Sequence, residues 1–94
     1  MKIVWTRLAL SDLDEAYNYI ASSNPDAAAD IIDRIEGAVN TLSLYPNRGR
    51  QGRIASTREL VVARTPFIVP YRVRGEQVEI LGVIHGAKRW PESL

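Results

Sequence analysis

The chain has 94 residues and no cysteine, so it has room for a single domain over residues 1–94 and none for a disulfide framework, a thiolate metal site or a cysteine nucleophile. Its hydrophobic fraction of 46% is that of an ordinary globular domain, and a domain this small buries a modest share of its surface, so a partner is expected to add to its stability. The formal charge of +1 is unevenly spread, with seven acids and one base between residues 8 and 45, then nine bases and four acids between residues 46 and 94. That asymmetry fits an acidic or polyanionic partner for the second half, or acidic helices solvated beside an arginine-containing sheet.

The first segment, Lys2 to Thr6, carries Ile3, Val4 and Trp5 and reads as a strand. A helix follows, with Ala9, Leu13, Ala16, Tyr17 and Ile20 on one stripe at helical spacing. Acids early in it would suit the positive end of the helix dipole. Ser22-Ser23-Asn24-Pro25 ends that helix and starts another, with Asn24 as N-cap and Pro25 as first helical residue. The second helix should reach about Leu44, burying Ile31, Ile32, Ile35, Ala38, Val39 and Leu42. So short a turn predicts an antiparallel helix hairpin.

Residues 47–57 read as a loop with Gly49, Gly52, Arg48, Arg50 and Arg53. Three strands are expected after it: Arg58 to Arg64, Phe67 to Arg74 and Gln77 to Ile84. In the middle strand Phe67, Val69, Tyr71 and Val73 alternate with Ile68, Pro70, Arg72 and Arg74. Pro70 has no N–H for a ladder and should mark an edge or a bulge. Arg74-Gly75-Glu76 suits a tight hairpin turn, and residues 86–94 form an irregular tail. The expected class is α+β: an N-terminal strand, then an antiparallel helix hairpin packed on one face of a small, mostly antiparallel four-stranded sheet, in the order β-α-α-β-β-β. No apolar run reaches the roughly 20 residues that span a bilayer, and the opening residues lack the layout of a signal peptide. The chain therefore reads as a soluble cytoplasmic protein.

His85 is the only histidine and falls at the end of the last strand, where it could serve as an acid or base. No cluster at metal-ligand spacing accompanies it. RNA cleavage without a metal needs a base, an acid and cations for the phosphate charge. Glu59, Arg64, Tyr71 and Arg72 are of the right types, but no local spacing brings them together. The arginine loop lacks the Gly-x-x-x-x-Gly-Lys-Ser/Thr pattern of a phosphate loop, and no cofactor motif is present. Its arginines suit phosphates or acidic side chains. Lys88, Arg89 and Trp90 in the tail have the composition of a binding hot spot, although a tryptophan folded back to cap the core would read the same way.

Several stretches, taken together and in order, resemble one family. They are Ile3-Val4-Trp5-Thr6 with Ala9 and Ser11-Asp12-Leu13, then Tyr17-Asn18-Tyr19-Ile20 and the break at Asn24-Pro25. Tyr45-Pro46-Asn47-Arg48-Gly49-Arg50, Arg58-Glu59-Leu60-Val61-Val62 and Pro70-Tyr71-Arg72-Val73 follow. Ile80-Leu81-Gly82-Val83-Ile84-His85-Gly86 and Lys88-Arg89-Trp90-Pro91 close the pattern. Nearly the whole chain resembles the ParE-like branch of the ParE/RelE superfamily of bacterial type II toxins.

That resemblance implies a cognate antitoxin as partner, with DNA reached only through the antitoxin. It also implies one of two activities: inhibition of DNA gyrase by protein contact, or RelE-like cleavage of mRNA on the ribosome. The position at which the nucleases carry an arginine falls near Ile68, and the chain has only two lysines, Lys2 and Lys88. Gyrase inhibition is therefore the expected activity, with no catalytic residue and no cofactor. On the nuclease alternative His85, Arg64, Tyr71 and Glu59 form the set. An inactive, antitoxin-binding member is a third alternative. The open face and edges of such a sheet invite an added strand or helix. Leu13, Tyr17 and Ile20 are expected near the floor of the antitoxin groove, with Arg48, Arg50, Arg53 and Arg72 meeting antitoxin acids. Lys88, Arg89 and Trp90 are the expected target contacts.

Overall fold

Thr6 decides where the first strand stops and the first helix starts. Its backbone is extended, its hydroxyl oxygen accepts the Ala9 N–H (3.2 Å), and its hydroxyl donates to the Ile80 carbonyl (2.7 Å). One side chain thus caps a helix and fastens the cap to the sheet. The computed structural model describes residues 1–94. Strand β1 (Lys2–Trp5) leads through Thr6 into α1 (Arg7–Ala21), and α2 (Pro25–Asn40) follows. Strands β2 (Arg50–Gln51), β3 (Arg58–Val61), β4 (Phe67–Arg74), β5 (Gln77–Ile80) and β6 (Ile84–His85) complete the chain.

The helix break forms as expected, because the Asn24 Oδ1 accepts the Ala27 N–H (3.1 Å) and Pro25 supplies a preset first turn. Two details differ from the sequence reading. The first turn of α1 begins at Arg7 and holds no acid, so Asp12, Asp14 and Glu15 lie beyond the reach of its dipole. α2 ends at Asn40 rather than near Leu44, tightening into a 3-10 turn over Thr41–Ser43 in which the Thr41 hydroxyl donates to the Ala38 carbonyl (2.6 Å). The N-terminal ammonium donates to the Ser43 carbonyl (2.7 Å), tying the start of the chain to this turn.

The sheet runs β1-β5-β4-β3-β2, with β6 also paired to β4. Only the β1–β5 pair is parallel. The helix hairpin covers one face. Ile35, Val39 and Leu42, together with Ala9 and Ala16 of α1, meet Leu60, Phe67, Val69, Tyr71, Val78 and Ile80 in one core. No helix is long and apolar enough to cross a membrane.

The architecture is the expected α+β one, but the sheet has six strands where four were anticipated. Arg50–Gln51, within the expected loop, form β2, and residues 77–84 form two strands instead of one. The cause of that division is Pro70 in the middle of β4. In an extended strand the N and C=O of one residue face the same neighbour. The Pro70 carbonyl accepts the Leu81 N–H (2.9 Å), so its missing donor faces the break between β5 and β6. β5 pairs with Tyr71–Arg74, and β6 resumes opposite Phe67 and Ile68. In the interruption a side chain supplies an acceptor: Asp12 Oδ2 of α1 accepts the Val83 N–H (3.0 Å). At the other end of the hairpin Gly75, at φ +60°, is the sole positive-φ residue of the Gly75-Glu76 turn, the pattern of a type II′ connection.

Tyr71 is fully buried. Its hydroxyl donates to the Pro46 carbonyl (2.7 Å) and accepts the Gly49 N–H (2.8 Å), which draws the loop after α2 against the sheet. Gly49 is required by that approach, since a Cβ there would stand 2.6 Å from Tyr71 Cε1 and 2.9 Å from the Glu59 carbonyl oxygen. Gly49→Ala should therefore destabilise the fold by about 2 kcal/mol. Tyr71→Phe should cost about 2 kcal/mol by stranding two buried backbone groups. Urea titrations of both variants check these values, and unchanged midpoints would mean that the loop is not held by this contact.

Candidate functional site

The face of the sheet opposite the helices holds Glu59, the one buried charged residue, at 3% exposure. Alternation along β3 sends Leu60 into the core and Glu59 to the other side. A carboxylate buried at a sheet surface requires hydrogen-bonded cations. The arginine loop supplies two. Arg50, opposite Glu59 across the β2–β3 ladder, donates from Nε (3.2 Å) and Nη2 (3.0 Å) to Oε1. Arg53 donates its backbone N–H (2.8 Å) and its Nε (3.1 Å) to Oε2. Burial alone would push the Glu59 carboxyl up, but the Arg53 N–H and the two guanidinium groups outweigh it and hold the group below the ordinary carboxylate value.

Arg72 and Arg74 repeat the arrangement one ladder away. Arg72 lies opposite Glu79 and donates from Nε to its Oε1 (2.6 Å), and Arg74 approaches the same oxygen at 3.8 Å. The Arg72 hydrogen bond is the main reason that the Glu79 carboxyl titrates low. The open face thus pairs each acid with two arginines, leaving an excess of positive charge. Arg48 points elsewhere, with its guanidinium 5.8 Å from the Tyr45 ring centroid.

The four residues weighed for RNA cleavage do not converge. Tyr71 lies on the helix side of the sheet and Glu59 on the other. Burial pushes the Tyr71 hydroxyl above its ordinary value, against the Gly49 N–H and the Arg58 charge, and both of its hydrogen-bonding directions are used. Arg64 is an exposed turn residue at φ 62° between β3 and β4. His85 packs edge-on against Phe67, with 5.7 Å between ring centroids, and its Nδ1 accepts the Ala87 N–H (3.1 Å).

Leu13 and Ile20 pack against the core, whereas Tyr17 stays exposed on α1. A groove of about 630 Å³ lies between α1 and the tail, with Leu8, Asp12, Tyr19, His85 and Leu94 among its lining residues. Lys88 and Arg89 are exposed beside it. Trp90 is half-buried, and the Arg53 guanidinium lies 3.7 Å from its ring centroid.

Sequence reasoning missed three contributors. Arg58, across the ladder from Tyr71, donates from Nη1 to the Gly49 carbonyl (2.8 Å) and braces the same loop. Asp12 takes the place of a strand at Val83. Burial raises its carboxyl, an effect that the Val83 N–H opposes and Glu15 reinforces. Glu79 neutralises Arg72. The alternation of β3 and β4 carried part of this signal, but the partners depend on register, which local sequence does not supply.

The depressed Glu59 carboxyl makes a linkage prediction. Its stabilisation is present at neutral pH, begins to fade as pH falls through the ordinary value of 4.5, and is lost below its lower folded value. Glu59→Gln should cost about 2 kcal/mol at pH 7, a figure held down because both guanidinium groups are about half exposed. The gap from the unaltered chain should close toward pH 3. Thermal melts across pH 3–7 test this, and a gap that does not change with pH would remove Glu59 as its source.

Comparison with known proteins bears on the whole domain. Residues 3–90 match the model of the ParE toxin of the type II toxin–antitoxin system parDE. The chain is 52% identical to Y4kP of Sinorhizobium fredii over 93 residues, covering 99% of this chain and 96% of that one. It is 38% identical to toxin RelE2 of Caulobacter vibrioides over 87 residues, covering 93% and 97% of the two chains. Among solved structures, a chain of the chromosomal ParDE toxin–antitoxin system from P. aeruginosa superposes with a TM-score of 0.81 at 32% identity, covering 90% of this chain and 95% of that one. The chain belongs to the ParE toxin family of type II toxin–antitoxin systems.

Proposed function

We propose that this toxin inhibits DNA gyrase by protein contact and is neutralised by a cognate antitoxin that meets its arginine-rich face. The observation that carries the first part is the dispersal of the acid–base candidates. Tyr71 has a spent hydroxyl on one side of the sheet, and Glu59 a clamped carboxylate on the other. A phosphodiester held at either would find no second proton-transfer group. Ile68, at the position where the resemblance places a nuclease arginine, is apolar and packs beside Gly86. The tail offers exposed Lys88 and Arg89 beside the half-buried Trp90 ring, a mixture suited to protein contact.

Cleavage of mRNA on the ribosome is the second reading. It draws on His85, which sits at the wall of the groove beside Lys88, and on the likeness to a protein named RelE2. The two readings separate cleanly. Under the first, the purified chain blocks gyrase supercoiling, His85→Ala retains that inhibition, and Trp90→Ala weakens it. Transcript cleavage in a translating extract that His85→Ala abolishes, without effect on gyrase, would establish the second. A chain that neither slows growth on expression nor acts in either assay would be an inactive, antitoxin-binding member.

For the antitoxin, Arg50→Ala should weaken binding modestly and flatten its salt dependence, because Arg50 is a half-exposed cation already shared with Glu59. Trp90→Ala should cost on the order of 2 kcal/mol if the tail is an anchor of that interface. Titration calorimetry at two salt concentrations measures both. Unchanged affinity in both variants would place the antitoxin elsewhere.

A further inference from the structure

The tail beyond Lys88 is held in an unusual way. Its beginning is fastened by backbone hydrogen bonds from Gly86 to the Pro66 carbonyl (2.7 Å) and from Lys88 to the His85 carbonyl (3.0 Å). No hydrogen bond from backbone or side chain, and no ion pair, involves residues 89–94. The Trp90 Nε1 is buried without an acceptor, although a buried indole N–H normally finds one. Pro91 and Leu94 line the groove that α1 borders. The Arg53 guanidinium carbon stands over the Trp90 ring, 3.7 Å from its centroid.

Arg53 is fixed by Glu59, through both its backbone N–H and its Nε. Its side chain is nevertheless 46% exposed, so a carboxylate from outside can reach the guanidinium edge. Glu59 does not become stranded if that happens, because Arg50 remains on Oε1. We infer that Arg53 links the arginine loop to the C-terminal tail, so that an acidic protein segment that draws Arg53 away from Glu59 also releases Trp90. Glu59 and Arg53 are then positioning residues for the tail. The link stands on the geometry. Its consequence, that antitoxin acids at the loop alter the target-binding tail, rests on the roles proposed above.

The chain has only two tryptophans, Trp5 and Trp90, so a nitrogen-15 spectrum resolves both indole N–H groups without altering the protein. Arg53→Lys keeps a cation and the backbone donor for Glu59 but loses the planar face. It should speed solvent exchange of the Trp90 indole N–H about three- to tenfold, the scale of a lost cation–π contact, with the Trp5 signal unmoved. Poly-L-glutamate added to the unaltered chain should produce the same change, and no further change in Arg53→Lys. If Trp90 exchange responds neither to Arg53→Lys nor to poly-L-glutamate, the link is overturned. Should the substitution also disturb Trp5, the peptide titration alone decides. Gyrase supercoiling measured on Arg53→Lys separates the two levels. A released Trp90 with undiminished inhibition keeps the link and removes the tail from target contact.

Discussion

The carboxylate of Glu59 organises one whole side of the molecule. A charge buried at a sheet surface is tolerated only when cations and N–H groups surround it, and here the surrounding groups all come from the loop that precedes its strand. Arg50 is brought opposite it by the short β2–β3 ladder, and Arg53 offers both backbone and guanidinium. The loop of residues 50–57 is thereby folded around an internal anion instead of projecting into solvent. The clamp means that the arginines of this surface are presented in a fixed arrangement, with part of their charge already committed to Glu59.

Directly across the β3–β4 ladder from Glu59, one missing hydrogen-bond donor has a comparable reach. Pro70 interrupts the ladder in the middle of the longest strand, so the returning chain separates into β5 and β6. The gap is closed from outside the sheet by Asp12, at the cost of a desolvated carboxylate in α1. That exchange fixes where β6 begins, and through β6 it fixes His85 and the first residues of the tail. Gly82 belongs to the same arrangement, since a Cβ there would come within 3.1 Å of Asp12 Oδ2.

Much of this was legible in the sequence. The Asn24-Pro25 cap, the stripe of α2 through Ile35 and Val39, the inward direction of Phe67, Val69 and Tyr71, and the Gly75 turn all follow from local rules that the structure obeys. Pro70 was legible as an irregularity, though not as the event that divides a strand. What local rules do not carry is register. The pairing of Glu59 with Arg50, of Arg58 with Tyr71 and of Arg72 with Glu79 follows from which residues stand opposite one another. A one-residue slip would send each side chain to the other face. Tyr17 shows the limit of periodicity from the opposite direction: it lies on the apolar stripe of α1 by spacing, yet remains exposed.

The parallel pairing of β1 with β5 bears on how the toxin comes into being. β1 has one neighbour in the sheet, and that neighbour lies at residues 77–80, near the far end of the chain. Contacts of such long sequence separation form late, because the intervening loop must be closed before they give any return. During synthesis the helix hairpin can assemble early from local contacts, but the first strand has no partner until residues 77–80 have left the ribosome. The finished sheet, with its arginine face, therefore exists only once residues 77–80 are free to pair with β1. A nascent chain presents helices first and the ordered surface last, which leaves an interval in which a partner present at the ribosome meets an unfinished toxin.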